Sequence, residues 1–446
     1  MPFQQTLRNF GRFALIATLI ASLTTQSWAG GFFRNGAVGG VIINAQGVLS
    51  LPTAEASREL AATMRDIVPD ADGEMSKLGM RRISLRQLSE AVAHATENNF
   101  ELPAEMRYLA GIQRVQYIFV YPEQNDIVLA GPGEGWRISD SGDVVGLTTG
   151  QPVVQLDDLL VALRGSQQAR ELGISCSIDP TEEGVRRMTA LMKKQSRYNP
   201  RVLPAIEKAM GAQQIKLTGI PEDSHFARVL VAADYHMKRI AMQLEQSPVN
   251  ELPSFLSMLK NSRVKVTNMM PRWWMACDYE PMARTEDGLG WELRGPGVKV
   301  MTESDFVAED GSRTATGKRS DLAQKWADTM TRNYTKLSSK SPVFGQLRNI
   351  MDLSVIAAVI DKHDLAERAG CDLSGLTKSD ATLGAWNAPK TVATQCSVTK
   401  RGRDYLITAS GGVQIESWQV ADKSEVDASV STIYTKSSKS EGAWWK

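Results

Sequence analysis

Residues 272–280 are predicted to form an extended strand, in which side chains two apart share one face. The face predicted to be buried carries Trp273, Met275, Cys277 and Tyr279. The opposite face carries Trp274, Ala276, Asp278 and Glu280. Asp287-Gly288 is a typical hairpin-turn pair and Gly295-Pro296-Gly297 interrupts the next strand, so residues 271–300 are predicted to form an antiparallel meander.

Helical periodicity is most regular after Ser224, where apolar side chains recur every three or four residues over several turns. These positions are Phe226, Leu230, Ala233, Met237, Ile240 and Leu244. A second long helix is predicted from about Val343 to Ala369, and few charges interrupt it between Ile350 and Ile360. We therefore expect this second helix to be the most buried helix of its domain.

Helical segments alternate with short strands and turn-rich connections along the chain, which predicts the α+β fold class. In both halves a proline-led helix is followed by a strand, a hairpin and a Gly-Pro-Gly turn, at Gly131 and at Gly295. Duplication of one module and chance recurrence of common turn residues explain this pattern equally well. The predicted architecture is two helix-plus-antiparallel-sheet modules followed by a small C-terminal β element.

Changes in composition define the predicted segments. These are a signal peptide at 1–29, a first α+β module at 30–211, a second α+β module at 212–372, a C-terminal β element at 373–421 and a tail at 422–446. The second module contains the meander and the long helices. The tail is mostly Ser, Lys, Thr and acidic residues, so it is predicted to be disordered.

The overall composition is that of a folded protein, because 42% of the 446 residues are hydrophobic and 23% are charged. The 51 Lys and Arg residues nearly balance the 50 Asp and Glu residues. Such a balance creates no field that attracts nucleic acid or an acidic membrane surface. Nucleic acid is therefore not an expected partner.

The first residues have the pattern of a secretory signal. Arg8 and Arg12 precede an apolar run at 13–23, and Ser27-Trp28-Ala29 places small residues at the cleavage site. The apolar run is too short to span a bilayer, although an uncleaved membrane anchor is the alternative. We expect a periplasmic or secreted protein with no transmembrane segment after signal removal.

Four cysteines in an exported chain favour disulfides over a metal site or a nucleophile. Cys371 and Cys396 are close in sequence and both lie in the C-terminal part, so we predict a bridge between them. Such a bridge contributes about 3 kcal/mol by restricting the unfolded chain. Whether Cys176 and Cys277 pair is left open.

The chain lacks the central residues of several enzyme classes. The chain has no HExxH and no GxSxG motif, which argues against zinc peptidases and α/β-hydrolases. The glycine-rich segment at 131–135 precedes a predicted strand rather than a helix, so it is interpreted as a tight turn and not as a phosphate-binding loop. No catalytic residue and no cofactor is predicted.

Two Asp-x-His triplets, Asp223-Ser224-His225 and Asp234-Tyr235-His236, raise the question of a metal site. Residues two apart on a helix point about 200° from one another, so neither triplet chelates a metal easily. Asp234 is better placed to pair with Lys238, four residues later. We expect a solvated charged face here, and no metal.

The best chemical constellation is Trp274 with Asp278 and Glu280 on one strand face. An aromatic platform beside carboxylates is a common way to hold sugar rings, and two carboxylates are the minimum for glycoside hydrolysis. Residues two apart on a strand lie roughly 6 to 7 Å apart, which allows a catalytic pair. The alternative is an ordinary solvent-facing strand.

Three segments carry a family resemblance: FARVLVAADYHMKRI from Phe226, WELRGPGVKV from Trp291 and PVFGQLRNI from Pro342. They resemble an uncharacterised family of exported proteins from planctomycete bacteria, over about residues 36–420. That family has no established activity or site residues, so the resemblance implies export and no mechanism.

Together these features predict an exported cell-envelope protein that acts as a non-catalytic binding or assembly component. Its expected partner is an unknown envelope protein or a polysaccharide. The alternative is a carbohydrate-binding or glycoside-cleaving protein that uses the 271–300 meander.

Overall fold

A computed structural model describes residues 38–69, 71, 77–194, 203–262, 269–307, 313–315, 317, 320–378, 386–401, 403–407 and 409–438. The predicted signal peptide at 1–29 lies outside these residues. Helices and several mixed sheets are intermixed in the described residues, which confirms the predicted α+β class.

The described strands are, in chain order, β1 (Ile42–Ile43), β2 (Val48–Ser50), β3 (Gly79–Ser84), β4 (Tyr117–Tyr121), β5 (Asp126–Gly133), β6 (Trp136–Ile138), β7 (Val144–Gly146), β8 (Ile174–Asp179), β9 (Ala212–Thr218), β10 (Met269–Asp278), β11 (Met282–Arg284), β12 (Gly290–Glu292), β13 (Gly297–Val307), β14 (Arg313–Ala315), β15 (Thr391–Ala393), β16 (Ser397–Arg401), β17 (Arg403–Ile407), β18 (Ser410–Ile415) and β19 (Ser424–Val426).

The described α-helices are α1 (Ala54–Ile67), α2 (Leu85–Asn98), α3 (Ala104–Arg107), α4 (Leu156–Leu172), α5 (Glu182–Lys193), α6 (Leu203–Met210), α7 (His225–Ala241), α8 (Phe255–Asn261), α9 (Asp321–Arg332), α10 (Tyr334–Lys340), α11 (Pro342–Lys362), α12 (Leu365–Ala369), α13 (Ser374–Thr377), α14 (Ser417–Ala421) and α15 (Ala428–Ser438).

Most strands belong to two mixed sheets. The large sheet has nine strands in the order β1-β2-β15-β9-β8-β18-β10-β13-β14, and the small sheet has six in the order β19-β11-β12-β4-β5-β3. The predicted boundaries at 211/212 and 372/373 separate β8, β9 and β18, which are neighbours in the large sheet. The division into modules stays a prediction.

Helices connect the two sheets through one continuous hydrophobic core. Helices α7, α9 and α11 pack on the large sheet, α2 and α12 pack on the small sheet, and α4 packs on α11. Every residue of α11 from Val343 to Ile360 is buried. Among the described helices, α11 alone has the length and hydropathy of a membrane-spanning segment, and its apolar stretch is fully enclosed by the protein, as in many core helices.

The meander is divided between both sheets. Strands β10 and β13 pair with one another in the large sheet, from Met269↔Phe306 to Asp278↔Gly297, whereas β11 and β12 join the small sheet. Trp273 and Met275 are fully buried, as predicted. Gly295 allows the chain to return, because its φ is 104° and a Cβ there would lie 3.0 Å from the Asp278 carbonyl oxygen.

A buried ionic cluster holds α11 against both sheets. Asp352 on α11 is fully buried and accepts hydrogen bonds from Arg114 Nε at 2.9 Å and from the Tyr279 hydroxyl at 2.8 Å. Arg114 also donates to the Gly295 carbonyl oxygen at 3.0 Å. Arg114 precedes β4, while Tyr279 and Gly295 lie in the connections between the two sheets.

The predicted disulfide between Cys371 and Cys396 is not formed, because all four cysteines are free thiols. Their surroundings differ. Cys371 lies beside the Ile127 backbone of the small sheet, whereas the Cys396 amide donates to Glu207 of α6. Burial raises the pKa of Cys371 to about 11 and that of Cys396 to about 12, so both are unreactive neutral thiols.

The tail predicted to be disordered contains β19 and α15. On α15, Val430 is fully buried, and the Tyr434 ring stacks on Tyr121 at 5.2 Å and meets Phe119 edge-on at 5.9 Å. The prediction is therefore wrong for residues 424–438, because aromatic side chains of β4 offer this segment an apolar surface. Residues 439–446 lie outside the described residues.

We expect Asp352→Asn to lower the free energy of unfolding by about 3 kcal/mol or more, because it leaves the Arg114 charge buried without its partner. The matched control is Asp361→Asn, which changes a more exposed carboxylate on the same helix and should cost less than about 1 kcal/mol. Denaturant unfolding measures both. Equal effects of the two substitutions would contradict the structural role of Asp352.

Candidate functional site

The buried histidine His225 is positioned by the start of α7. The Ser224 hydroxyl caps this helix, accepting from the Ala227 amide at 3.0 Å and donating to the Pro221 carbonyl oxygen at 2.7 Å. The cap makes His225 the first helical residue. Its side chain points into the protein and is only 4% exposed.

The start of a second helix supplies the hydrogen-bond partner of His225. Asp158 lies in the first turn of α4, and His225 Nδ1 is 2.9 and 3.0 Å from the two Asp158 carboxylate oxygens. Nδ1 therefore carries a hydrogen and donates it to Asp158, and Nε2 lies on the other side of the ring, away from Asp158. Gln155, just before α4, places its Nε2 3.2 Å from that nitrogen.

The surrounding charges shift the ionisation of this pair. Burial alone lowers the pKa of His225, but the charge of Asp158, its hydrogen bond and the charge of Asp157 together raise that pKa above its usual value. Burial also raises the pKa of Asp157 to about 7. Asp157 can therefore change charge near neutral pH, and the protonated form of His225 is favoured.

An aromatic and cationic stack closes one side of His225. The Trp386 ring lies 5.8 Å from the imidazole, and the Arg228 guanidinium lies 4.8 Å from the centre of the same Trp386 ring. Arg228 is fully buried, and burial lowers its pKa to about 10. The Trp386 amide donates to the Asp223 carbonyl oxygen at 2.9 Å, which holds the loop over the start of α7.

Gln346 on α11 contributes a second polar group. Its Nε2 donates to Asp143 Oδ1 at 3.0 Å, and Asp143 Oδ2 accepts from Ser141 at 2.6 Å. Burial raises the pKa of Asp143. Gln346 is 5% exposed, and its Oε1 has no hydrogen-bond partner among the described residues. An unpaired buried carbonyl is costly, so this atom favours a ligand that donates to it.

These groups form the floor of a concave space, here called the α1 pocket. Its outer wall is one face of α1, where half-buried side chains recur at helical spacing: Leu60, Thr63, Met64 and Ile67. Val38, Val144 and Tyr108 complete the apolar lining, and His225, Gln155, Gln346 and Asp143 supply the polar atoms. The cavity volume is about 70 Å³, which accommodates a group of a few non-hydrogen atoms.

The pocket has an acid-base pair but lacks other parts of common catalytic sites. No described hydroxyl or thiol forms a hydrogen bond with His225, so no side-chain nucleophile faces the pair. Within the described part of the chain, no group of three or more His, Cys, Asp or Glu residues could hold a metal ion.

The sequence-predicted site residues lie elsewhere, at the outer face of the large sheet. Trp274 and Asp278 share that face and are both half-buried; the Arg272 guanidinium lies 5.8 Å from the Trp274 ring, and Asp278 is 3.8 Å from Lys299 Nζ. Glu280 is exposed and follows the end of β10. A sugar site at these residues stays a prediction.

The Asp-x-His segments differ from the expected solvated face. Asp234 is fully buried, and its predicted partner Lys238 does bind it, with 2.8 Å between the charged atoms. His236 is also largely buried, with Nδ1 2.8 Å from Glu245 and Nε2 2.8 Å from the Gly39 carbonyl oxygen.

The helix-capping residue Ser224 is the sequence signal that could have pointed to His225. The proximity of His225 to Asp158 depends on the packing of α4 against α7.

Comparison with known proteins adds a family match. Residues 176–255 match a family model described as "Protein of unknown function (DUF1598)", which fits an uncharacterised family. The matched segment runs from β8 into α8 and includes His225 and Asp234. No curated protein and no solved structure matches the chain significantly.

We expect Asp158→Asn to destabilise the protein more at pH 6 than at pH 9. A raised histidine pKa stabilises the folded state below the unfolded value of about 6.5, and this contribution disappears as the pH rises through the folded pKa. Denaturant unfolding across this pH range measures the difference between the two proteins.

Asp157→Asn is the matched control for this experiment. Its raised pKa means that ionisation of Asp157 destabilises the fold as the pH rises towards about 7. The substitution removes that cost, so its effect should become more favourable at high pH. A stability difference for Asp158→Asn that does not vary with pH would contradict the charged His225–Asp158 pair.

Proposed function

We propose that the protein is an exported, non-catalytic binding component of the cell envelope whose ligand occupies the α1 pocket. The signal-like segment at 1–29 and the resemblance to exported planctomycete proteins support export. Recovery of the chain from the cytoplasm with residues 1–29 intact would contradict it.

The observation that carries the binding function is the contrast between walls and floor. The walls contributed by α1 are mainly apolar and half-buried, while the floor includes His225 and Gln346, whose Oε1 has no hydrogen-bond partner among the described residues. A concave, largely apolar space with a few convergent polar groups is the usual form of a small-molecule site. The apolar walls supply affinity, and the polar atoms select the ligand.

The position of α1 supports access to the pocket. Thr63 and Met64 face the cavity, whereas the adjoining Ala62 is exposed to solvent. Two floor residues, in contrast, lie on buried helices, His225 on α7 and Gln346 on α11, while Gln155 precedes α4 and Asp143 precedes β7. A ligand can therefore enter along α1 without disturbing the packed helices beneath it.

A second candidate is carbohydrate recognition or cleavage by the meander. The outer face of the large sheet leaves Trp274 half-exposed and Met301 40% exposed, which gives a small apolar platform. Asp278 and Glu280 lie at the end of the same strand. Aromatic side chains beside carboxylates are suited to sugar rings, so an envelope polysaccharide is the partner under this hypothesis.

We expect Thr63→Trp to abolish retention of a small molecule by protein purified from its native envelope, because the indole fills the α1 pocket. Ala62→Trp places the same side chain on the solvent side of α1 and should retain the molecule. Native mass spectrometry of the parent and both variants measures the bound mass. Equal retention by both variants, or none by the parent, would overturn the α1 pocket as the ligand site.

For the second candidate, we expect Trp274→Ala to weaken binding of an envelope polysaccharide roughly tenfold, because the stacking surface is removed. Trp274→Phe keeps an aromatic platform and serves as the control, with a smaller loss. Tryptophan fluorescence and thermal stability in the presence of the polysaccharide report binding. If no polysaccharide binds the parent, or Trp274→Ala binds as well, this candidate fails.

A further inference from the structure

The polar floor of the α1 pocket constrains the hydrogen-bonding groups of its ligand. Gln346 Nε2 is committed to the Asp143 carboxyl group at 3.0 Å, which fixes the orientation of the side-chain amide. The amide oxygen is then the atom left over, and it is buried without a partner among the described residues. A carbonyl oxygen accepts hydrogen bonds only, so the ligand must present an N–H or O–H donor.

The opposite side of the floor offers hydrogen-bond donors. Gln155 Nε2 and His225 Nε2 lie 3.2 Å apart, and Gln155 is only half-buried. The Gln155 amide can turn its N–H groups to a ligand acceptor, and a protonated His225 can donate to the same acceptor. The ligand head group should therefore combine one acceptor with one donor.

The charges around the floor argue against an ionic head group. Among the residues that line the pocket, the Asp143 carboxyl group opposes a carboxylate and a protonated His225 opposes an ammonium group. These groups nearly balance one another within the site. A net charge on the ligand would lose its hydration inside apolar walls and find no uncompensated counter-charge.

We propose that the α1 pocket binds an uncharged carboxamide head group carried on a short apolar body. The amide N–H donates to Gln346 Oε1, and its carbonyl oxygen accepts from Gln155 or His225. The apolar body contacts Leu60, Met64 and Ile67 of α1. This inference rests on the proposed binding function and adds the chemical class of the ligand.

Three probes of matched length test the head group: butyramide, butyrate and butylammonium. Saturation-transfer NMR with the purified protein measures binding of each probe. We expect butyramide to bind at least about tenfold more tightly than the two charged probes, because burial of a charge is the main difference among them. Tighter binding of butyrate or butylammonium would overturn the carboxamide assignment.

Two substitutions test the contacts. Gln346→Met keeps the side-chain volume but removes the acceptor, and we expect it to weaken butyramide binding about tenfold. Because a substitution at the buried Gln346 can also impair folding, Gln155→Met is the second variant. Gln155 is half-buried, and its loss removes a donor to the carbonyl oxygen of the probe. Ala62→Trp is the control that should bind butyramide normally. Unchanged affinity in both methionine variants would overturn the proposed contacts.

Different results would contradict the carboxamide class of the ligand and the binding function of the α1 pocket. If none of the three probes binds while a native molecule is still retained by the parent and lost in Thr63→Trp, the carboxamide class is wrong and the binding function stands. If the probes and any native molecule are all absent, the binding function fails as well. Butyramide binding that persists in Thr63→Trp would place the probe outside the pocket and overturn the inference.

Discussion

The arrangement of the molecule depends on a single buried carboxylate, that of Asp352. An ionised group in a core is tolerated only when its hydrogen-bonding capacity is filled, and here Arg114 and the Tyr279 hydroxyl fill it. Tyr279 lies where the chain leaves the large sheet, and Arg114, which precedes β4, also donates to the Gly295 carbonyl oxygen where the chain returns to it. The carboxylate therefore fixes the relation of α11 to both sheets, a task that apolar packing alone performs with less directional precision.

The ionic cluster around Asp352 also holds part of the candidate site in place. Gln346 lies on the same helix as Asp352, so the ionic cluster also positions the unpaired amide oxygen. Helix α7 has an equivalent anchor, because Lys238 pairs with Asp234 and donates to the carbonyl oxygens of Ile178 at 2.8 Å and Gly411 at 3.3 Å. The floor of the α1 pocket is therefore built on two ionically anchored helices, whereas its α1 wall is only half-buried. Such a combination keeps recognition atoms in place while leaving one side accessible.

The family match covers only part of the α1 pocket. The matched residues 176–255 contribute His225, but Asp158, Gln346 and α1 lie outside them. The site as a whole is assembled from segments spread over most of the described chain. The matched domain on its own would lack the carboxylate that orients the imidazole and the apolar wall that faces it.

Much of the local structure follows from the sequence. The extended conformation expected at 272–280 placed Trp273 and Met275 on the buried face, and the Asp287-Gly288 pair predicted a hairpin. Four-residue spacing predicted the Asp234–Lys238 pair. These features depend on neighbours in the chain. The tertiary structure alone decided that β11 and β12 leave the large sheet, that Cys371 and Cys396 lie in different surroundings, and that α15 packs on the aromatic side chains of β4. It also brought His225 to Asp158 and Gln346 to Asp143. These contacts join residues far apart in sequence, and side-chain periodicity describes which face of an element is buried but not which other element covers it.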